Sequence, residues 1–197
     1  MSDYAQILHD LLDQLEQSPY IHVSDIPNIP LYMDQVTTFM DEHLTGMRRS
    51  EDEKLLTKTM INNYAKNKLL PPPEKKKYSR EHMLILIYIY YFKGVLSLQD
   101  IQSLLKPLCE RYFGKEHGSM LTRIYEQTMQ ISQEHLENLR RDVEECQQAA
   151  RTAAGGSFAD LPEQEQSFIE LFIMVSLLSM DASVKRQIAS LLIDRTL

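Results

Sequence analysis

The side chains best suited to chemistry are cations and amides, and most of them fall in one segment of the chain. Residues 47–80 hold ten lysines and arginines against four acids, a net charge of +6, whereas the whole chain carries −7 and the remainder therefore −13. Positive charge gathered on one segment is typical of proteins that bind the phosphates of duplex DNA. A solvated charged surface without a partner is the alternative interpretation.

Several residues in this segment have chemistry that suits a duplex. Asn62 and Asn63 can each make bidentate hydrogen bonds to adenine, and Thr57 and Thr59 can reach bases or phosphate. A polar helix face or local capping explains both asparagines equally well. Tyr78 either donates to a phosphate or anchors the segment to the core, and the anchor is favoured. The predicted phosphate contacts, which would bind without reading sequence, are Lys58, Lys66, Lys68, Lys75, Lys76, Lys77 and Arg80.

A short helix and a stiff connector would position these side chains. The predicted recognition helix spans about residues 56–66. Met60, Ile61 and Tyr64 share one of its faces, which leaves the polar residues on the other. The predicted wing, residues 71–78, begins with three prolines and continues with three lysines, so we expect a rigid basic projection. Two apolar helices follow, and this order of elements predicts a winged helix-turn-helix.

The segment from residue 59 to residue 105 resembles the DNA-binding domain of MerR-type bacterial transcription regulators. The second helix of that family reads roughly TLRYYExxGLLxP, and a basic wing ending in YRxYS follows it. Lys68 stands where the family usually has glycine, and the wing is shorter here. The resemblance implies duplex DNA as the ligand and a DNA-facing position for Asn62. The matching residues are Met60, Ile61, Tyr64, Leu69, Leu70, Pro71, Lys76, Tyr78, Ser79, Ser97, Leu98, Ile101 and Leu105.

A longer stretch, residues 20–105, looks like an uncharacterised bacterial family in which such a motif precedes a helical C-terminal half. DIPNIPLYMDQVTTF and LTKTMINNYAKNKLLPPPEKKKYS carry this resemblance. That family implies a fold and no activity.

The rest of the chain has the periodicity of helices, so the predicted fold class is all-α. Ser79 and Ser97 are natural N-caps, and Gly155-Gly156 is expected to break the chain between two helices. The predicted helices outside the recognition helix are 3–17, 31–44, 80–92, 98–106, 117–153, about 160–179, and one from 181 or 183 onwards. The predicted regions are an N-terminal helix (1–19), a MerR-like domain (20–106) and a helical bundle for dimerisation or effector binding (107–197).

The long helix carries a pattern that favours a homodimer. Its seam residues alternate four and three apart for almost four heptads, which is the spacing of a coiled coil. Helix-turn-helix proteins usually read DNA as two-fold dimers. Packing within the chain is the alternative, because the nearly all-apolar residues 168–180 need cover. The seam consists of Tyr125, Met129, Ser132, Leu136, Leu139, Val143, Cys146 and Ala150.

Signals of catalysis are weak. The chain has no GxxxxGK[ST], GxGxxG, HExxH or GxSxG motif, so we expect neither an enzyme nor a cofactor. The six histidines are dispersed, and Cys109 and Cys146 lack partners at zinc-ligand spacing, so no metal site is predicted. The first residues lack a secretory leader, and the longest uncharged apolar run, Leu171–Met180, is about half a membrane span. A cytoplasmic protein that does not enter a membrane is therefore expected.

Three functions are compatible with these features. The first is a DNA-binding regulator that dimerises through its C-terminal half. The second is a protein-interaction or scaffold module that has this fold and does not bind DNA, which suits the acidic total charge. The third, compatible with the first, is a small-molecule sensor whose effector site lies in the C-terminal bundle.

Overall fold

The computed structural model describes residues 3–17, 20–44, 55–114 and 118–197. The polar stretch 45–54, which holds Arg48, Arg49 and Lys54, lies outside the described residues, as does the predicted start of the long helix at His117.

Helices dominate the described residues, which confirms the all-α prediction at that level. They are accompanied by one two-stranded antiparallel sheet, in which Leu31 lies opposite Tyr78 and Tyr32 opposite Lys77. Leu31 and Tyr32 were predicted to begin a helix; they form a strand instead because their backbones pair with Lys77 and Tyr78, the last two residues of the predicted wing. The elements are α1 (Asp3–Gln17), a 3-10 turn (Val23–Asp25), β1 (Leu31–Tyr32), α2 (Met33–His43), α3 (Lys58–Lys66), β2 (Lys77–Tyr78), α4 (Arg80–Phe92), α5 (Leu98–Tyr112), α6 (Gly118–Ser157) and α7 (Glu163–Thr196).

Two compact units share these elements. The large unit comprises residues 19–130 and 190–197, and the small unit comprises residues 1–18 and 131–189. The large unit thus extends past the boundary that the sequence suggested after residue 106, because the first turns of α6 belong to its core.

α4 is the centre of the large unit. Its residues 82–90 are buried without interruption, so other elements cover every side of the helix. The ring of Tyr125, from α6, meets the edge of Tyr88 with 5.5 Å between ring centroids. The hydroxyl of Tyr125 donates to the carbonyl of Ile21 at 2.7 Å. This paired hydroxyl ties α6 into the core, and so does the Tyr88 hydroxyl, which donates to the hydroxyl of Thr128 in α6 at 3.2 Å.

The small unit is built from α1, α6 and α7. An ion pair between Arg140 and Asp13 joins α6 to α1 at the edge of its core. The core itself is a small apolar cluster of Leu12, Val143, Ala150 and Met174.

Three predicted helix ends are wrong. α5, predicted to end at residue 106, continues through Pro107 to Tyr112. α6 continues through Gly155-Gly156 to Ser157, since Ala150 and Ala154 are buried beside the glycines and such packing can offset the roughly 1 kcal/mol that a helical glycine costs relative to alanine. α7 is one helix of 34 residues where two were expected. It contains no glycine or proline, and Asp181, expected to start a new helix, instead pairs with Lys185 one turn on, at 2.7 Å.

The predicted seam of α6 is partly buried within the chain. Tyr125 and Met129 are buried in the core of the large unit, and Val143 and Ala150 in that of the small unit. Leu139 remains 41% exposed. Intrachain packing, the alternative for this pattern, therefore accounts for half of the seam positions outright.

Candidate nucleic-acid interface

α3 presents a polar strip to solvent. Ile61 and Tyr64 are buried, as the helical spacing predicted. Side chains three and four residues apart lie on the same face of a helix, so the outward residues form a single strip. Its exposed members are Lys58, Thr59, Asn62, Asn63 and Lys66.

Two residues at the start of α3 already have partners in the fold. Thr57 is the N-cap, and its hydroxyl accepts the backbone N–H of Met60 at 3.2 Å. The ammonium group of Lys58 forms an ion pair with Asp34 of α2. Thr57 therefore has a capping role, and Lys58 would have to exchange its carboxylate for a phosphate.

The end of α3 is closed by a Schellman motif. The N–H of Leu69 donates to the carbonyl of Tyr64 at 2.9 Å, and that of Lys68 to the carbonyl of Ala65 at 3.2 Å. Lys68 has φ 59°, in the left-handed region where glycine is favoured. Glycine would adopt this conformation without strain. The lysine side chain adds an exposed cation.

Residues 74–77 form a tight turn at the tip of the predicted wing. The N–H of Lys77 donates to the carbonyl of Glu74 at 2.9 Å. The two central residues, Lys75 and Lys76, have φ 49° and 64°, the pattern of a type I′ turn. Their side chains are exposed, while pairing of β2 with β1 fixes the base of the turn. The ammonium nitrogen of Lys77 lies 5.0 Å from the centre of the Tyr32 ring, so this third lysine turns back onto β1.

Among the described residues, every non-glycine residue with a positive φ is a lysine of the predicted contact set: Lys68, Lys75 and Lys76. A left-handed backbone costs an L-residue roughly 1–2 kcal/mol, most of which glycine would avoid. Strain that persists at three exposed cations is the kind of outlier from which a functional role for their charge can be inferred.

Two residues of the predicted contact set point inward. Tyr78 is 3% exposed, and its ring packs edge-on against His82 at 5.5 Å between centroids, which favours the anchor interpretation over a phosphate contact. Burial raises the pKa of its hydroxyl. Arg80 is half-buried, and its Nη2 donates to the carbonyl of Ile26 at 2.9 Å. Both residues hold the turn to the core and do not extend the cationic surface.

His82 is a structural residue that the sequence reasoning missed. Its Nδ1 accepts the backbone N–H of Ser79 at 2.9 Å and lies 2.8 Å from the Ser79 hydroxyl. The bond from the N-cap amide is the half of a capping box that glutamate or glutamine usually makes. Desolvation by burial lowers the pKa of His82, against smaller opposing effects of the Pro72 and Pro71 carbonyls. The Ser-x-x-His spacing was the available signal, since it matches the spacing of a capping box.

In the described part of the chain, no three histidine, cysteine or acidic side chains come together as metal ligands. Cys109 and Cys146 are free thiols there. Burial, reinforced by Glu81 and Glu110, raises the pKa of Cys109 to about 11, so its thiol is protonated at neutral pH.

α7 carries an unusual amount of exposed apolar surface. Phe168 and Phe172 are 67% and 62% exposed, and further apolar side chains follow along the helix. By length and composition α7 alone, among the helices of the described residues, qualifies as a membrane span: its most apolar stretch has a mean hydropathy of 1.7 and is 6% buried. This is weak evidence, because a core helix of a soluble protein can have the same length and composition.

Comparison with known proteins identifies a family and nothing more specific. No curated protein and no solved structure matches the chain. One protein-family model, described as a domain of unknown function (DUF1836), matches residues 21–140. The match covers α2 to α5, β1, β2 and the first part of α6, which include every residue of the candidate interface. Because it spans more than half of the chain, the protein belongs to the DUF1836 family.

Proposed function

We propose that this protein is a cytoplasmic DNA-binding transcription regulator of MerR-like type, in which α3 lies in the major groove and the turn at residues 74–77 acts as a basic wing. The observation that carries the proposal is the set of left-handed lysines, Lys68, Lys75 and Lys76. Glycine or asparagine would be more stable at each of these positions. The presence of lysine there therefore indicates a ligand that interacts with the positive charge. Phosphate of a duplex is such a ligand.

The order of elements supports the same proposal. β1 comes directly before α2, and it pairs with β2 directly before α4. The helix pair is therefore followed by a turn whose base is bonded back to the strand preceding that pair. A helix pair of this kind can set its second helix into a groove while the turn contacts the adjacent backbone.

The side chains divide into two roles. Lys66, Lys68, Lys75 and Lys76 are exposed and suited to phosphates, which they would hold without reading sequence. Asn62 and Asn63 lie at the middle of the α3 strip, where they can pair with the N6 and N7 groups of adenine; Thr59 is exposed beside them.

We further propose that two copies associate through the exposed face of α7. An aromatic side chain can bury about 150–250 Å², so Phe168 and Phe172 together with Leu171 and Val175 offer several hundred Å² per copy. A specific protein interface buries roughly 800 Å² per partner, so this face could supply a large part of one, and apolar patches of this size often mark interaction sites. Residues 168, 171, 172 and 175 recur at three and four, which suits helix-to-helix packing.

A second copy fits this face better than a lipid bilayer. The stretch without charge, Leu171–Met180, would span roughly 15 Å of helix, against about 30 Å of hydrocarbon. A different side of α7 packs Met174 against α1 and α6. Those helices carry ionised groups, including the Arg140–Asp13 pair, which hydrocarbon would penalise.

The sensor hypothesis stays compatible with DNA binding. The small unit contains a cavity of about 320 Å³ between α1, the end of α6 and the start of α7, lined in part by Arg151, Glu163 and Gln166. Its polar lining would suit a polar effector.

The decisive experiment is selection of a duplex from random DNA, followed by titration of the selected site at several salt concentrations. Changing Lys68, Lys75 and Lys76 to glutamine should lower the slope of log affinity against log salt by up to about 2.7, at about 0.9 per lost contact. Lys106→Gln, at an exposed lysine of α5, is the matched control and should leave the slope unchanged. Failure to select any duplex, or equal slopes in all variants, would favour the scaffold function.

A further inference from the structure

We propose that the cavity behind the turn at residues 74–77 binds a free α-amino acid with an apolar side chain. The cavity has a volume of about 480 Å³ and lies wholly within the large unit. Small-molecule sites typically enclose 300–1,000 Å³ and combine an apolar lining with a few polar groups. Pro72 and Phe113 supply apolar lining here, and the charged groups come from the turn and the start of α4.

The charges that line this cavity are balanced. Lys75 and Lys77 provide two cations, and Glu74 and Glu81 provide two carboxylates. Neither lysine makes an ion pair with a described residue, whereas one oxygen of Glu81 accepts the backbone N–H of Gly114 at 3.0 Å. A ligand with a carboxylate for the lysines and an ammonium group for the glutamates would satisfy both signs. An anion or a cation alone would leave one pair of charges unmatched.

His82 closes part of the cavity wall without adding charge. It is 4% exposed, and its Nδ1 accepts the N–H of Ser79, so the proton of the neutral ring lies on Nε2, 3.4 Å from the carbonyl of Pro72. Its ring packs edge-on against Phe113, 4.7 Å between centroids. The imidazole and the phenyl ring thus make an apolar surface against which the side chain of an apolar amino acid can lie.

The location gives the ligand a mechanical role. Its carboxylate would be held by the turn, through Lys75 and Lys77, and its ammonium group by the start of α4, through Glu81. A bound amino acid would therefore link the lysine side chains of the turn to the start of α4. The binding site stands independently of DNA, while its effect on duplex affinity rests on the proposed function.

Binding can be measured by titrating the full-length protein with L-phenylalanine and following backbone amide shifts of Lys77, Glu81 and Gly114. For a ligand of this size we expect saturation with a Kd on the order of 1 mM or tighter. 3-Phenylpropionate lacks the ammonium group and phenethylamine lacks the carboxylate. Each should bind at least about tenfold more weakly than L-phenylalanine, because each loses a charge-assisted hydrogen bond.

The matched variants are Lys75→Gln and Glu81→Gln, each of which removes one lining charge while keeping a polar side chain of similar length; the glutamine oxygen can still accept from Gly114. Both variants should raise the Kd for L-phenylalanine by about tenfold. Lys76→Gln, the neighbouring lysine outside the cavity lining, should change Kd by less than about twofold.

Absence of saturable shifts at these amides, equal affinity for 3-phenylpropionate, or an equal loss in the Lys76 variant would each overturn the proposal. Duplex affinity is measured separately, with and without L-phenylalanine. Binding of the amino acid to a protein that selects no duplex would support the cavity and refute DNA recognition. Binding without a change in duplex affinity would support the cavity and remove its regulatory role.

Discussion

A tight turn with two left-handed residues is most stable as Asn-Gly, and this protein has Lys75-Lys76 there, with φ 49° and 64°. Changing the pair to Asn-Gly should therefore stabilise the fold. The change removes the strain of two lysines held in the left-handed conformation. Glycine offsets part of this gain, because it has more conformational entropy in the unfolded chain. The net increase in the free energy of unfolding is about 1–2 kcal/mol. For a chain of this size that corresponds to a rise in Tm of roughly 2–8 °C.

The same change should weaken DNA binding. Two phosphate contacts disappear, so the slope of log affinity against log salt should fall by about 1.8. Stability and binding would then move in opposite directions, as expected where strain is retained for function. Calorimetry or thermal denaturation reads the first effect, and fluorescence anisotropy with the selected duplex reads the second.

Lys75→Gln combined with Lys76→Gln is the control, because it removes both charges and keeps both side chains at positive φ. It should reproduce the loss of salt dependence and leave Tm nearly unchanged. If the Asn-Gly variant is no more stable than the Gln-Gln variant, the strain argument is refuted. If both variants bind the duplex as the parent does, the turn is not a wing and the strain has another cause.

Three further predictions test other parts of the molecule. Alanine at Asn62 or Asn63 should cost about 1–3 kcal/mol of affinity at the selected site and much less on unrelated DNA; equal losses in anisotropy titrations on both would make that residue a backbone contact. Burial lowers the pKa of His82 from 6.5, so the unfolded chain takes up a proton on this residue at a higher pH than the folded chain does. The free energy of unfolding should therefore be unaffected by His82 above about pH 6.5 and should fall as the pH drops below that value. Urea unfolding at several pH values should show this loss in the parent and less of it in His82→Gln, which keeps a capping acceptor; identical pH dependence would refute the contribution of His82 to the pH dependence. Phe168→Glu with Phe172→Glu should convert a dimer to a folded monomer in light scattering, whereas a parent protein that is already monomeric would remove the α7 interface, and a parent that floats with lipid vesicles would replace it with a membrane.

Local chemistry made α3 and its neighbours predictable. The inward positions Ile61 and Tyr64 follow from spacing, and they are buried as predicted. Ser97 caps α5 by accepting the N–H of Asp100 at 3.1 Å, as serine at the start of an apolar helix indicates. Such features depend on contacts within one or two turns, which a sequence displays directly.

Features set by distant contacts were not predictable in the same way. β1 is two residues long, and its identity comes from pairing with residues more than forty positions away. The left-handed backbones of Lys75 and Lys76 have no signal in the sequence, since lysine rarely adopts this conformation. At Lys68 a signal did exist: the resemblance marked a position where glycine is usual, and the backbone has the geometry that glycine would favour.

The helix ends that were missed show how packing overrides local propensity. The low helix propensity of Gly155 and Gly156 predicts a break, yet the helix continues because the alanines before them are buried. In α7 the periodicity itself was ambiguous, because the helix is apolar on nearly all sides and no single face identifies its partner. Burial of Met174 on one side and exposure of Phe168 and Phe172 on another resolve two distinct faces.

The attachment of the turn determines how much its charge can contribute to binding. Tyr78 and Arg80 follow the turn directly, and both are fixed to the large unit, one by ring packing against His82 and the other by a hydrogen bond to Ile26. The exposed lysines therefore begin on a backbone that is already ordered. A flexible basic loop would lose conformational entropy on binding a phosphate, whereas this turn loses mainly side-chain freedom. In the proposed complex with DNA, Tyr78 and Arg80 would thus assist the outward lysines by preorganising them.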